Sequence, residues 1–390
     1  MLLAVRGAKI YTGRGDIIEK GMLLAGDDGK ILDVGQDTAV PDNAEILDLE
    51  GRVIIPGLID AHTHVGIWGD GEGEPSQDSN EWIDPVTAGV SALNGVNPLH
   101  NSFEGAREGG ITTVQILPGS VNPVGGLCFA CKTAGSIIDD MVIKNPTGLK
   151  GAMGENPKWA HGQMQKKAPA SRMGIAAAIR EFFLRAGEYK VKKNRAMEKG
   201  EFFETDIRME SGLMVLDRKI PFRVHAHRHD DIATALRICG EFAIDCSIEH
   251  CTDGYLIADY LGKKNTVAMV GPGLSSSSKL ETAGFSDENA VILSRHGVKT
   301  CLITDHPFLN CRYFLAYASI VHKYGLSLQD TLRAITLSPA EALGIEERTG
   351  SLEVGKDADF AVLGGEPFTL KGRVESTFIE GKCVWRRKLY

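Results

Sequence analysis

The stretch Pro56-Gly57-Leu58-Ile59-Asp60-Ala61-His62-Thr63-His64 constrains this chain more than any other. The apolar run before it, residues 53–55, reads as a buried strand. Side chains two apart on a strand share a face, so the imidazoles of His62 and His64 point the same way. Neutral imidazole suits zinc and related divalent metals, and two rings supply two of the three or four protein ligands such an ion needs. A strand that ends in His-x-His therefore calls for a fold that gathers several strand ends around one axis.

The 390 residues exceed one small core and fit a large domain with a smaller companion. Short apolar segments at residues 2–5, 22–25, 31–34 and 45–47 are separated by Gly and Asp turns, as several short strands would be. The far end reads alike, with candidate strands at 360–363, 374–379 and 383–386. Neither end alone can bury both faces of a sheet, so together they are expected to form a small β-sandwich from 1–55 plus 347–390. Residues 56–346 have the size of a (β/α)8 TIM barrel with insertions. Candidate strands lie at 53–59, 112–117, 149–153, 222–227, 243–250, 266–270 and 300–304, with a weaker one at 127–132 or 136–143. Helical patterns at 102–108, 172–190, 230–241 and 328–336 alternate with them, which argues for a parallel barrel or a doubly wound sheet. Lys166, Lys167, Lys190, Lys192 and Lys193 fall in a polar insertion that reads as a solvated helical face.

Ligand and acid–base residue types recur where these strands end. Glu155 follows the fourth, His225, His227 and His229 the fifth, His250 the sixth and Asp305 the eighth, whereas residues 270–272 end the seventh without one. Singly, each has a plainer account: a core histidine, or a carboxylate capping a turn. A barrel directs all these ends to one site, and their joint occurrence favours a shared function.

The nine-residue stretch resembles the first-strand signature of the amidohydrolase superfamily of metal-dependent hydrolases. Residues 351–359 are similar to that superfamily's entry into its closing β segment, and the resemblance spans both flanks. It implies a barrel with a composite terminal β domain, and the ligands His62, His64, Glu155, His225, His250 and Asp305. Lys150 is the alternative to Glu155, because the superfamily uses a carboxylated Lys or a Glu on strand four, and His227 is the alternative to His225. The stretches 119–126, 153–158 and 224–228 resemble the imidazolonepropionase and prolidase branch. Deaminases and imidazolonepropionase carry a Glu three residues after the strand-five His; here Arg228 stands there.

These matches imply one or two divalent ions, zinc first, and a hydrolase that cleaves an amide, cyclic amide or peptide-like C–N bond. Asp305 is the expected general base, with His250 and His227 beside it. Arg228, Asn122 and Lys158 are candidates to grip the substrate, Arg228 through bidentate contact with a carboxylate, although a structural ion pair with Asp230 or Asp231 accounts for it equally well. Lys279 is a further candidate. The competing readings are a deaminase or N-deacetylase on the same scaffold, and a non-catalytic scaffold protein. Such relatives have lost ligands, and none is missing here.

The net charge of −8 gives no reason to expect nucleic acid or an anionic membrane as partner, and no apolar run reaches the length of a span. A small-molecule substrate is expected, and a homo-oligomer is open. The first residues lack the pattern of a signal peptide. Eight scattered cysteines suit a reducing cytoplasm, and Cys128-x-x-Cys131 reads as core.

Overall fold

The computed structural model of the protein describes residues 2–69, 77–275 and 279–388. Five strands open the chain: β1 (Leu3–Tyr11), β2 (Ile17–Ala25), β3 (Ile31–Gly35), β4 (Glu45–Asp48) and β5 (Val53–Pro56). Eight more follow: β6 (Leu58–Thr63), β7 (Ile111–Ile116), β8 (Val124–Lys132), β9 (Val142–Ala152), β10 (Phe222–Ala226), β11 (Cys246–His250), β12 (Val267–Val270) and β13 (Lys299–Leu302). The last three are β14 (Phe360–Leu363), β15 (Val374–Ile379) and β16 (Lys382–Arg386).

The strands β6 to β13 form one eight-stranded sheet in sequence order. Its two outer strands meet through their ends, where the Asp305 amide donates to the His62 carbonyl (3.1 Å) and the His64 amide to the His306 carbonyl (3.0 Å). The barrel is thus nearly closed. Every residue of β6, β7 and β10 is buried, as strands covered on both faces should be. One expectation needs correcting. The strand β8 runs antiparallel to both β7 and β9, so the barrel is not uniformly parallel. Short connections between these three strands make a meander instead of two βα crossovers. Periodicity cannot report strand direction, and the apolar run at 124–132 fits either sense.

The two ends of the chain do share a sheet, in the order β16-β15-β14-β5-β1-β2-β3, with β4 also paired to β1. It is one continuous hydrogen-bonded sheet built from both termini. Its core gathers Leu3, Val5, Ile10, Leu23, Ile54, Phe360, Val362 and Phe378. Phe360 and Phe378 face each other across β14 and β15, with ring centroids 4.4 Å apart. Gly57 is the joint between the two sheets. A Cβ there would sit 2.2 Å from Thr112 Oγ1, so no larger residue fits without displacing Thr112 of β7.

The polar insertion becomes a helix, Arg172–Lys199, longer than its pattern suggests. Ser171 caps its start, Gly200 at φ 65° ends it, and Ile175, Ile179, Phe182 and Phe183 pack inward. On its outer face Lys190 pairs with Asp217 (2.5 Å) and Lys193 with Glu210 (2.5 Å). No helix among the described residues is long and apolar enough to cross a membrane.

A buried cation joins barrel to terminal sheet. Lys132, at the end of β8, lies between Asp357 (2.7 Å) and Asp359 just before β14. Burial opposes its charge, but the two carboxylates outweigh that and raise its pKa above the ordinary lysine value. Asp357 is likewise pushed up by burial yet held below its ordinary value by Lys132 and Lys30. A depressed carboxylate pKa contributes stability above the unfolded value and loses it as pH falls. Lys132→Met leaves the buried Asp359 without its cation, while Asp357 keeps Lys30 and Arg348, and should cost about 3–5 kcal/mol at neutral pH. That deficit should shrink as pH drops below about 4, where unfolded-state carboxylates protonate. Urea titrations of both proteins across pH check this; a deficit that does not change with pH would remove the ion-pair account.

Candidate metal centre

At the carboxyl ends of the barrel strands two triads face each other: His62, His64 and Asp305, and His225, His227 and His250. Within each triad the ligand atoms lie within 4.8 Å of one another, and all six residues are buried. His62 and His64 arrive from β6, whose pleat places them two apart on the inward face. His225 and His227 repeat that spacing at the end of β10. His250 and Asp305 adopt φ of 70° and 51°, a left-handed backbone that side-chain-bearing residues rarely take. Such strain persists where surroundings enforce it, and here it turns both residues toward the shared space.

Asp305 links the triads. Its Oδ1 lies 3.3 Å from His62 Nε2 and 3.4 Å from His64 Nε2, and its Oδ2 lies 3.8 Å from His250 Nδ1. Lys150, from β9, sits 3.4 Å from His62 Nε2 and is fully buried. Burial pushes its amine below the ordinary lysine range. Burial also lowers His64, and with neighbouring His250 it holds His225 and His227 well below the usual histidine value. His250 falls to about 3 for the same reason. Burial would raise Asp305, but His250 and hydrogen bonds to His62 and His64 prevail and hold it well below the usual carboxylate range. Neutral rings at His64, His225, His227 and His250 beside an ionised Asp305 are the protonation states that metal ligation requires.

Outer partners fix the rings. His62 Nδ1 meets Glu249 Oε2 at 2.6 Å, while His64 Nδ1 donates to the Leu117 carbonyl (2.8 Å) and His250 Nδ1 to that of Gly271 (3.0 Å). His227 Nδ1 bonds Thr252 Oγ1 at 2.8 Å. Each of these leaves Nε2 turned to the centre, the arrangement seen when imidazoles bind metal. Glu249 is itself pushed up by burial but pulled to about 2 by His62. Both nitrogens of His225 are buried without a hydrogen-bond partner. A buried group left unpartnered costs about 1–3 kcal/mol, and a cation shared with the other rings offsets that cost. The donor set and its orphaned nitrogens therefore fit a divalent ion.

The centre forms the floor of a cavity of about 260 Å³, lined also by Trp68, Trp82, Ser120, Asn156, Trp159, Lys279, Phe285 and Phe308. Trp68 packs edge-on against Phe308 (5.3 Å), and Trp82 against Trp159 (5.8 Å).

The amidohydrolase family model matches residues 53–384. The chain belongs to the amidohydrolase family. An amidohydrolase from Thermotoga maritima is similar in structure, with a TM-score of 0.95 and 42% identity over 99% of this chain and 100% of that one. Amidohydrolase tasK of Hapsidospora irregularis is 26% identical over 94% of this chain, which spans 39% of that protein's length. Imidazolonepropionase of Mesorhizobium japonicum is 25% identical over 89% of this chain and 87% of its own. Family membership places the chain among hydrolases of carbon–nitrogen bonds.

Of the anticipated residues, His62, His64, His225, His227, His250 and Asp305 come together. Glu155 does not. β9 ends at Ala152, Gly154 turns the chain at φ 82°, and Glu155 opens a short helix with its amide on Glu281 Oε2 (2.8 Å). Lys150 occupies the strand-four place instead, because it lies within the strand where the pleat points it inward. The three substrate-gripping candidates also fall outside the described cavity lining. Arg228 is tied to Asp230 (2.8 Å), and Asn122 is spent on Glu81, Thr87 and His161. Lys158 starts a π-helical turn, Lys158–Met164. His229 pairs at 3.7 Å with Asp253, half-exposed. Glu249 escaped notice, although it precedes His250 directly on β11. Glu249→Gln should weaken metal binding about 10–100-fold by releasing the His62 ring. Chelator competition measures this, and unchanged affinity would exclude that role.

Proposed function

We propose that this amidohydrolase is a metal-dependent enzyme that hydrolyses an amide, cyclic amide or peptide-like C–N bond, with Asp305 as general base. The observation that carries the reading is Asp305 itself, an ionised carboxylate set between two buried histidine groups and open to the cavity. One or two divalent ions, zinc by the donor set, would supply an acidified water and a Lewis acid for the substrate carbonyl. His62, His64 and Asp305 would hold one, and His225 and His250 the other, with Lys150 between them.

Lys150 suits a bridging ligand if it carries CO2 as a carbamate. Its lowered pKa favours the free amine that reacts with CO2, and the amine lies beside His62 at the centre. Asp305 Oδ1 faces His62 and His64, which leaves Oδ2 to take a proton from the attacking water and return it to the leaving nitrogen. Trp68, Trp82, Trp159, Phe285 and Phe308 line the approach and favour a substrate with an apolar or aromatic group. The deaminase reading gains nothing from Arg228, which is bound to Asp230 outside the cavity. All eight cysteines are free, in keeping with a reducing cytoplasm.

Metal content per chain by plasma mass spectrometry tests the centre. Lys150→Ala should lose bound metal while Glu155→Ala retains it. Asp305→Asn should lower turnover of a cleaved amide about 10²–10⁴-fold with the fold intact. Near-normal turnover in Asp305→Asn would exclude it as the base.

A further inference from the structure

Glu281 stands outside the family's ligand pattern, on the loop after β12, yet its carboxylate reaches the histidines. Its Oε1 lies 3.8 Å from His225 Nε2 and 3.8 Å from His227 Nε2. The residue is only 2% exposed, and Oε1 has no hydrogen-bond partner. Its other oxygen is fixed, because Oε2 accepts the Glu155 amide at 2.8 Å. Gly154 makes room for this: a Cβ there would meet Oε2 at 2.5 Å. The carboxylate is thus clamped on one oxygen and presents the other to two imidazoles.

We propose that Glu281 is a metal ligand, and that its Oε1 with the Nε2 atoms of His225 and His227 holds a divalent cation. This rests on the reading of the centre as a metal site. Ligand atoms about 2.1 Å from one zinc ion stand at most about 4.2 Å apart and about 3.4 Å apart in a tetrahedron. The two 3.8 Å separations fall in that interval and are too long for direct hydrogen bonds. Two imidazoles and one carboxylate also form a donor set that zinc takes in catalytic sites, with the fourth position open. Both nitrogens of His225 and Oε1 of Glu281 lack hydrogen-bond partners, and a single cation between them satisfies one atom of each residue. His225 is also an anticipated ligand of the main centre, so the Glu281 carboxylate draws its ion toward the loop after β12.

The competing account makes Glu281 the counter-ion of Lys279, whose Nζ is 3.7 Å from Oε1. Metal-stripped protein titrated with Zn2+, and separately with Co2+ followed by its visible spectrum, distinguishes the two. Glu281→Gln keeps an oxygen for the Glu155 amide but loses the anionic donor. It should bind one ion fewer, or bind it more than about tenfold more weakly, with an altered cobalt band. Lys279→Met should keep the wild-type count and band. Wild-type affinity, count and band in Glu281→Gln would overturn the assignment. Loss of the ion in Lys279→Met with Glu281→Gln unaffected would do the same. If Glu281→Gln folds poorly, zinc-edge anomalous density in soaked wild-type crystals decides: a peak about 2.0–2.2 Å from Oε1 supports the ligand and its absence there refutes it. Wild type that takes up no ion would sink the metal-hydrolase reading itself, whereas uptake untouched by Glu281→Gln sinks this inference alone.

Discussion

Five imidazoles, a carboxylate and an amine occupy one buried space at the ends of the barrel strands, and the surrounding structure is arranged around the cost of putting them there. Water cannot solvate these groups, so each needs a partner supplied by the fold. Backbone carbonyls of Leu117 and Gly271, the Thr252 hydroxyl and the Glu249 carboxylate take the outward nitrogens of four rings. The inward nitrogens are left to face one another and Asp305. The left-handed backbone at His250 and Asp305 adds about 1–3 kcal/mol of strain per residue, tolerated because the strand ends are pinned on both sides.

That pinning reaches below the site. Asp60, two residues before His62 on the same inward face, accepts from the amide and hydroxyl of Thr304, so β6 is tied to the residue preceding Asp305. Burial raises the Asp60 pKa to about 7 despite these bonds. The nearly closed seam of the barrel is therefore a polar junction, and His62 and Asp305 are positioned by the same junction. Lys132 performs the corresponding service at the other end, where the barrel meets the terminal sheet.

Much of this was legible because strand pleat and apolar runs are local signals. His62 and His64 declared their shared face by spacing alone, and the strands of both ends were readable from turn-bounded apolar segments. What was not legible depends on partners distant in sequence. The direction of β8 follows from how it pairs with β7 and β9, which periodicity does not encode. Glu155 looked like the end of strand four until Gly154 turned the chain, and the choice between it and Lys150 stayed open in the sequence because only the pleat of β9 shows which residue faces inward. Arg228 could be read as a substrate grip or as an ion pair with Asp230 or Asp231, and only the folded chain shows Asp230 holding it. Glu281 carried no signal at all, because only the close approach at Gly154 and the Glu155 amide aim it inward.

The strand β5 sits between β1 and β14, paired in parallel with one and antiparallel with the other. It leads through Gly57 directly into the strand that bears the first two histidines. During synthesis β1 can dock at once, but the opposite edge of β5 stays open until residues 360–363 have left the ribosome. About 300 residues at about 5–20 per second make that interval about 15–60 s. An apolar edge exposed for so long is a template for wrong pairing. The strand that leads into the first two histidines thus gains its second neighbour only when the C-terminal strands have been made.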